Sequence, residues 1–242
     1  MLLLKNLAAQ CRAEGRPLVF SLEMLNRDMQ GTLDKYFADE ISERDFLYAC
    51  RDSGSLWPNY ITDYRPLVNF CKEAGVRVVC ANAPSFSLRV VGQEGPDGLQ
   101  RLSAAERELL PSLPYPPASK AYRDKMAFIN KESPHGFSDR LMEVQALWDA
   151  SMAGSVLDAI KPGSGGSQPF CVHVCGRLHV EDRMGVLSQL DQSGRSVGCL
   201  LIYPSRGQIS GLSPKEFKQL PISSRGGDFV ALTDLNLART FR

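Results

Sequence analysis

The chain has 242 residues, of which 43% are hydrophobic, and this is enough apolar material for one domain with a substantial core. Lys and Arg number 28 against 27 Asp and Glu, so no global charge favours binding to nucleic acid or to an anionic membrane. No apolar run approaches the roughly 20 residues that a membrane-spanning helix needs, and we therefore expect no transmembrane segment.

The opening stretch "MLLLKNLAAQCRAEG" predicts an amphipathic helix that ends near Gly15. It does not resemble a signal peptide, because Lys5 interrupts the apolar run and Arg12 and Glu14 follow closely. The seven cysteines are odd in number and scattered, and several lie in apolar segments where Cys behaves as a small hydrophobic residue. This cysteine usage favours a reducing intracellular or organellar compartment.

Residues 1–85 are predicted to form the first half of an α/β domain. The stretch "PLVFSLEM" reads as a short strand, and a helical pattern follows it. Ser42 and Asp45 have the spacing of a capping box, which places the start of a second helix. A third predicted helix carries Pro66 in its first turns and Gly75 at its end, and "VRVVCANAP" after it is a β-branched strand.

Residues 86–162 contain no convincing strand and are predicted to be a helical insertion with a long helix from about Ser138 to Ile160. The stretch "KPGSGGSQP" has the composition of a flexible linker. Residues 163–242 then alternate strand "FCVHVC", helix "MGVLSQLDQ" and strands "VGCLLIY" and "DFVAL" as the second half of the domain. This order predicts an α/β fold, a doubly wound, mostly parallel sheet with a helical insertion subdomain.

Polar residues follow three of the predicted strands. Glu23 ends the first strand, Asn82 ends the second, and His179 comes a few residues after "CVHVC". Ligand crevices in open parallel sheets lie at the carboxyl ends of the strands, so these three residues are candidate catalytic groups. Two other readings stay open: Glu23 as a charge near a helix N-terminus, and His179 as a solvated loop residue.

The stretch "FCVHVCGRLHV" combines cysteines and histidines without the spacing of a metal site. Cys171, His173 and Cys175 share one face of the predicted strand, where adjacent side chains lie about 6.5–7 Å apart. Buried strand residues are therefore favoured over a zinc site. On the long helix, Gln145 falls on the same face as Trp148, and a buried amide there is a candidate for orienting a loop or a ligand.

The insertion also carries side chains that suit a haem-like ligand. Haem needs an axial donor, basic groups for its propionates and a flat apolar wall. The insertion supplies Tyr115, Lys120, Tyr122, Arg123, Lys125, Met126, Phe128 and His135. The exposed side of a solvated helix would explain the same residues.

Four stretches resemble, in order, the signature blocks of the ChaN-like haem-binding domain family. They are "FSLEMLNRDMQ", "YRPLVNFCKEAGVRVVCANAP", "YRDKM" followed by "EVQALWDASMA", and "VCGRLHVEDRMG", within the range from about Pro17 to Thr233. The resemblance implies an α/β fold with a small helical subdomain, and haem held at the interface of a homodimer by a tyrosine. By position, it implies Tyr122 as the iron ligand, with Tyr115 as the reserve, and Lys125 and His135 on the propionates.

One block of that family has no counterpart here. The family normally begins with a strand that ends in Gly-Glu-x-His, and no such block precedes "RPLVFSLEM". Hydrolases of the erythromycin-esterase and TraB kinds resemble the same superfamily and use that His with a Glu like Glu23. Three hypotheses follow: a non-enzymatic haem or tetrapyrrole binder, a hydrolase that uses Glu23, Asn82 and His179, and a shortened interaction module that has lost its ligand.

Overall fold

The computed structural model describes residues 1–131, 137–162, 166–205 and 226–234. Two compact units make up the chain, Met1–Cys175 and Gly176–Arg242. The described helices and strands of the first unit are α1 (Leu2–Ala13), β1 (Leu18–Asn26), α2 (Gln30–Phe37), α3 (Glu43–Asp52), α4 (Arg65–Ala74), β2 (Arg77–Asn82), α5 (Ser85–Glu94), α6 (Ala104–Glu108), α7 (Lys120–Ile129), α8 (Asp139–Ala159) and β3 (Phe170–Val174). Those of the second unit are α9 (Val186–Gln192), β4 (Leu200–Ser205) and β5 (Phe229–Asp234).

Local sequence signals set several helix ends. The Ser42 hydroxyl accepts a hydrogen bond from the Asp45 backbone N–H, and the Asp45 carboxylate accepts one from the Ser42 N–H, so the predicted capping box is confirmed. Gly75 ends α4 with φ +66°, a left-handed conformation that glycine adopts without steric cost. Ser138 caps the long helix α8 at the predicted place.

The first unit contains a parallel three-stranded sheet in the order β2-β1-β3. In the central strand, Leu22 pairs with Cys80 on one side and with Val174 on the other. The prediction that this strand ends at Glu23 is wrong by three residues, because the strand continues to Asn26 and all of its residues are buried. Glu23 therefore lies inside the buried part of β1.

Helices cover both faces of this sheet. Alternate residues of β1, among them Phe20 and Leu22, pack into one core cluster with α1 to α4. On the other face, Val19 packs with Val79 of β2 and with Ala159 of α8. Each fully buried Leu or Phe contributes about 1.5–3 kcal/mol from burial, so the two apolar faces hold the layers together. The predicted α/β fold is confirmed.

The second unit has its own small core. Strands β4 and β5 pair in parallel from Leu200 opposite Phe229 onward. On one side of this pair, Leu187 of α9 packs with Cys199 and Leu201. None of the helices in the described residues is both long and apolar enough to cross a membrane.

Candidate functional site

A group of polar side chains, all buried except the half-buried Cys175, lies toward the carboxyl end of the three-stranded sheet. We call Glu23, Tyr122, Gln145, Asp149 and Cys175 the strand-end cluster. Both carboxylates and the Cys175 thiol act electrostatically on the Tyr122 hydroxyl, and Gln145 donates a hydrogen bond to it. Glu23 is 5% exposed and Asp149 is 2% exposed. Two buried carboxyl groups and a buried phenol need hydrogen-bond partners to be tolerated, so the cluster depends on the contacts among its members and with their neighbours.

Regular structure places each member of the strand-end cluster. Glu23 follows Leu22 in β1, and Cys175 directly follows Val174, the last residue of β3. Because Leu22 and Val174 are paired, Glu23 and Cys175 are neighbours across the two strands. Gln145 and Asp149 are four residues apart in α8 and therefore share one side of that helix. Tyr122 enters from the first turn of α7.

Tyr122 is the most enclosed residue of the strand-end cluster. Its side chain is 1% exposed, and its hydroxyl oxygen accepts a hydrogen bond of 2.9 Å from Nε2 of Gln145. Burial raises the pKa of Tyr122 far above the usual value for a phenol, and the charges of Asp149 and Glu23 raise it further, while the bond from Gln145 opposes them. Tyr122 is thus a neutral phenol at physiological pH in this conformation.

A second tyrosine, Tyr64, lies close to Glu23, and the sequence analysis did not identify it as a candidate site residue. Tyr64 ends a π-helical turn, Tyr60–Tyr64, that leads into α4, and its ring meets Trp57 edge-on at 6.5 Å. Burial raises the pKa of Tyr64, a hydrogen bond with Asn59 lowers it, and Glu23 is near enough to raise it. Single π-helical turns are common at functional sites. No periodic pattern in the sequence predicts the π-helical turn at Tyr60–Tyr64.

The three residues of the hydrolase hypothesis lie in different parts of the chain. Glu23 is inside β1, and Asn82 is the last residue of β2, where its Oδ1 accepts a hydrogen bond from the backbone N–H of Ala83 at 2.9 Å. His179 is buried in a short 3-10 turn of the second unit. A catalytic site formed by all three stays a prediction.

Tyr115, the reserve iron ligand, borders a small cavity of about 130 Å³. Its hydroxyl donates a long hydrogen bond of 3.3 Å to the Glu143 carbonyl, and burial raises the pKa of Tyr115 to about 12, with a further contribution from Glu143. Arg123 and Met142 line the same cavity. Lys125 lies on α7, and His135 is outside the described residues.

The last turn of α7 carries two exposed, large apolar side chains. Phe128 is 80% exposed, and Ile129 beside it is also exposed. Toward the start of the helix, Lys120 pairs with Asp124, and Arg123 pairs with Asp139. Helix α7 therefore carries basic side chains near its start and exposed apolar side chains at its end.

Strand β3 pairs with β1, but all five of its residues are only partly buried, so the prediction of buried strand residues is met in part. The Ser21 hydroxyl and Nδ1 of His173 are hydrogen-bonded at 2.9 Å across the sheet. Burial raises the pKa of Cys171 to about 12, so its thiol stays protonated, whereas metal binding requires a thiolate. Within the described part of the chain, no three His, Cys, Asp or Glu side chains are grouped as a metal site requires.

Comparisons with known proteins give consistent matches. The family model described as "Haem-binding uptake, Tiki superfamily, ChaN" matches residues 1–190. Protein RETICULATA-RELATED 5, chloroplastic, from Arabidopsis thaliana is 28% identical over 192 residues, which are 74% of this chain and 24% of that protein, so the chain spans about a quarter of its length. The solved structure described as "Cofacial heme binding to ChaN of Campylobacter jejuni" is similar in fold, with a TM-score of 0.56 and 17% identity, over 95% of this chain and 78% of that one.

Proposed function

We propose, from the premise that this chain belongs to the ChaN family of haem-binding uptake proteins in the Tiki superfamily, that it binds haem or a closely related tetrapyrrole. Tyr122 is the proposed iron ligand, and Tyr115 is the alternative candidate for that role. The observation that carries this assignment is the environment of Tyr122, whose hydroxyl accepts a hydrogen bond from Gln145 of α8 and is within electrostatic range of Glu23 in β1 and of Cys175 after β3. In α/β proteins, ligands bind near the carboxyl ends of such parallel strands.

The side chains on and around α7 have the chemistry that haem requires. A tyrosine phenolate is an established donor to haem iron, so Tyr122 would hold the iron of a bound haem, and that haem would supply the metal. Lys125 and Arg123 are on the same helix and can approach the propionates. Phe128 offers an exposed aromatic surface for the ring. His135 stays a proposed propionate contact by its position in the sequence.

We place the ligand at an interface between two copies of the chain. The cavity beside Tyr115, at about 130 Å³, is smaller than the roughly 300–1,000 Å³ typical of sites that enclose a small molecule. A tetrapyrrole therefore needs a second wall, and the exposed Phe128 and Ile129 give an apolar face for one. Haem binding to ChaN of Campylobacter jejuni is cofacial, which supports a shared face here.

Haemin titration of matched tyrosine variants tests this proposal. Tyr122→Phe removes the donor oxygen and keeps the ring, so we expect loss of the ferric phenolate spectrum and at least tenfold weaker binding. Tyr115→Phe is the control, and we expect it to keep the wild-type spectrum. Wild-type spectrum and affinity in Tyr122→Phe would reject the ligand assignment, whereas a folded wild-type chain that does not saturate with haemin would reject the function.

A further inference from the structure

We propose that the cavity beside Tyr115 is a binding site for a small organic cation, a molecule that combines one apolar ring with a positively charged amine. The cavity has a volume of about 130 Å³ and lies within the first unit. An engineered protein cavity of about 150 Å³ binds benzene, so a space of this size accommodates a single ring. A tetrapyrrole is several times larger, and the proposal therefore goes beyond the haem site described above.

The floor of the cavity is apolar and buried. Tyr115, Met142 and Ala146 line it, and all three side chains are buried. Met142 and Ala146 are four residues apart in α8 and therefore share one side of that helix. Tyr115 is joined to the same helix by the hydrogen bond from its hydroxyl to the Glu143 carbonyl. A ring that lies on this floor leaves water for an apolar surface, which is the favourable part of its binding.

Proline residues form much of the remaining lining. Pro96, Pro114 and Pro117 border the cavity, together with Leu113 and Ala118. Because the proline ring fixes φ near −65°, these walls have few alternative conformations, and the chain loses little entropy when a ligand orders them. The cavity is therefore largely formed before a ligand arrives, as is usual for sites that bind small molecules.

The charges of the lining favour a cation. Asp97, Arg123 and Glu143 are the charged residues that line the cavity. Arg123 pairs with Asp139 outside the cavity, and Glu143 likewise has a partner in Arg140. Asp97 is exposed, and its carboxylate forms no ion pair or hydrogen bond within the described part of the chain. This carboxylate is therefore the unbalanced charge of the lining, and an amine on the ligand ring can pair with it.

Methyl NMR of the chain labelled at its methionines tests the site. Benzylamine is the probe, because it combines one aromatic ring with an ammonium group. We expect saturable binding with a dissociation constant on the order of 1 mM, which is reasonable for so few non-hydrogen atoms. The ring current of the bound probe should shift the methyl signal of Met142. The signal of Met152 should stay in place, since Met152 is also buried in α8 but does not line the cavity.

Three variants separate the contributions of charge and of space. Asp97→Asn removes the unbalanced carboxylate and should weaken benzylamine binding about threefold. Benzyl alcohol has the same ring without the charge, so its affinity should not change in this variant. Asp52→Asn is the matched control, because Asp52 is an exposed carboxylate of α3 that does not line the cavity. Ala118→Leu adds bulk to a partly buried wall and should abolish the shift of Met142.

The outcomes decide both the site and the class of its ligand. A saturable shift of the Met142 signal in the wild type, weakened in Asp97→Asn and lost in Ala118→Leu, supports the proposal. A folded wild-type chain whose Met142 signal does not move at benzylamine concentrations far above the expected dissociation constant overturns it. Equal affinity for benzylamine and benzoate, or equal benzylamine affinity in Asp97→Asn and Asp52→Asn, overturns the assignment of a cation. Because these titrations contain no haemin, their result is independent of the proposed function.

Discussion

The hydrogen bond between Tyr122 and Gln145 should appear as a measurable coupling in a double-mutant cycle. Both side chains are buried, and the donor and acceptor atoms are 2.9 Å apart. Tyr122→Phe leaves the Gln145 amide without this acceptor in a dry environment, which costs about 1–3 kcal/mol. Gln145→Leu removes the donor and costs a similar amount. Because the double variant no longer leaves one partner behind, we expect a coupling free energy of about 1 kcal/mol.

Urea unfolding followed by tryptophan fluorescence measures this coupling cleanly. Trp57 and Trp148 are the two tryptophans of the chain and both lie in the first unit, so the signal reports that unit. Ser155→Ala combined with Gln145→Leu is the control pair: Ser155 lies ten residues further along α8, about 15 Å away, and bonds to Ala81, so the two changes should be additive within about 0.5 kcal/mol. A coupling below about 0.3 kcal/mol between Tyr122 and Gln145 would refute the reasoning, because the bond would then contribute nothing measurable to the stability of the folded chain.

Three further predictions concern pH and packing. Haemin affinity should rise with pH, by up to about tenfold per unit, because binding to a phenol releases its proton; a flat titration would contradict a phenolate ligand. The pKa of Tyr115 in the folded chain, about 12, lies above the usual value near 10. Tyr115 therefore adds roughly 2–3 kcal/mol to the free energy of unfolding below about pH 10, and this addition is lost as the pH rises toward about 12. Tyr115→Phe should reduce this alkaline loss in urea unfolding. Finally, Gly154→Ala in α8, with open space at the new Cβ, should stabilise by about 0.5–1 kcal/mol, whereas Gly98→Ala, whose Cβ would lie 2.8 Å from Val90, should cost about 1–3 kcal/mol. Equal melting temperatures for the Gly154→Ala and Gly98→Ala variants would contradict the described difference in space around these two glycines.

The sequence indicated the elements of the fold well, because their signals are local. The capping box at Ser42 and the glycine at the end of α4 depend on residues within one turn, and both are as expected. The end of β1 was misplaced because Glu23 looked like a polar terminus. Only the tertiary structure shows that a carboxylate can be buried there beside a phenol.

The site was only partly accessible to sequence reasoning. Gln145 was a candidate because an amide on an apolar helix face needs a partner, and the structure supplies Tyr122 as that partner. Asp149, one turn further on the same side of α8, carried an equivalent signal and was overlooked. The sequence could not show that Cys175 belongs to the cluster or that Tyr64 lies near Glu23, since the first depends on strand pairing and the second on a π-helical turn.

Haemin titration of the purified chain, with the Soret band and the molecular mass followed together, tests the central claim most directly. We predict saturable binding, a ferric phenolate spectrum and a change from monomer to dimer as haemin is added. A chain that keeps its native tryptophan fluorescence and shows neither a saturable Soret change nor dimer formation would contradict the proposal of a tetrapyrrole held between two copies.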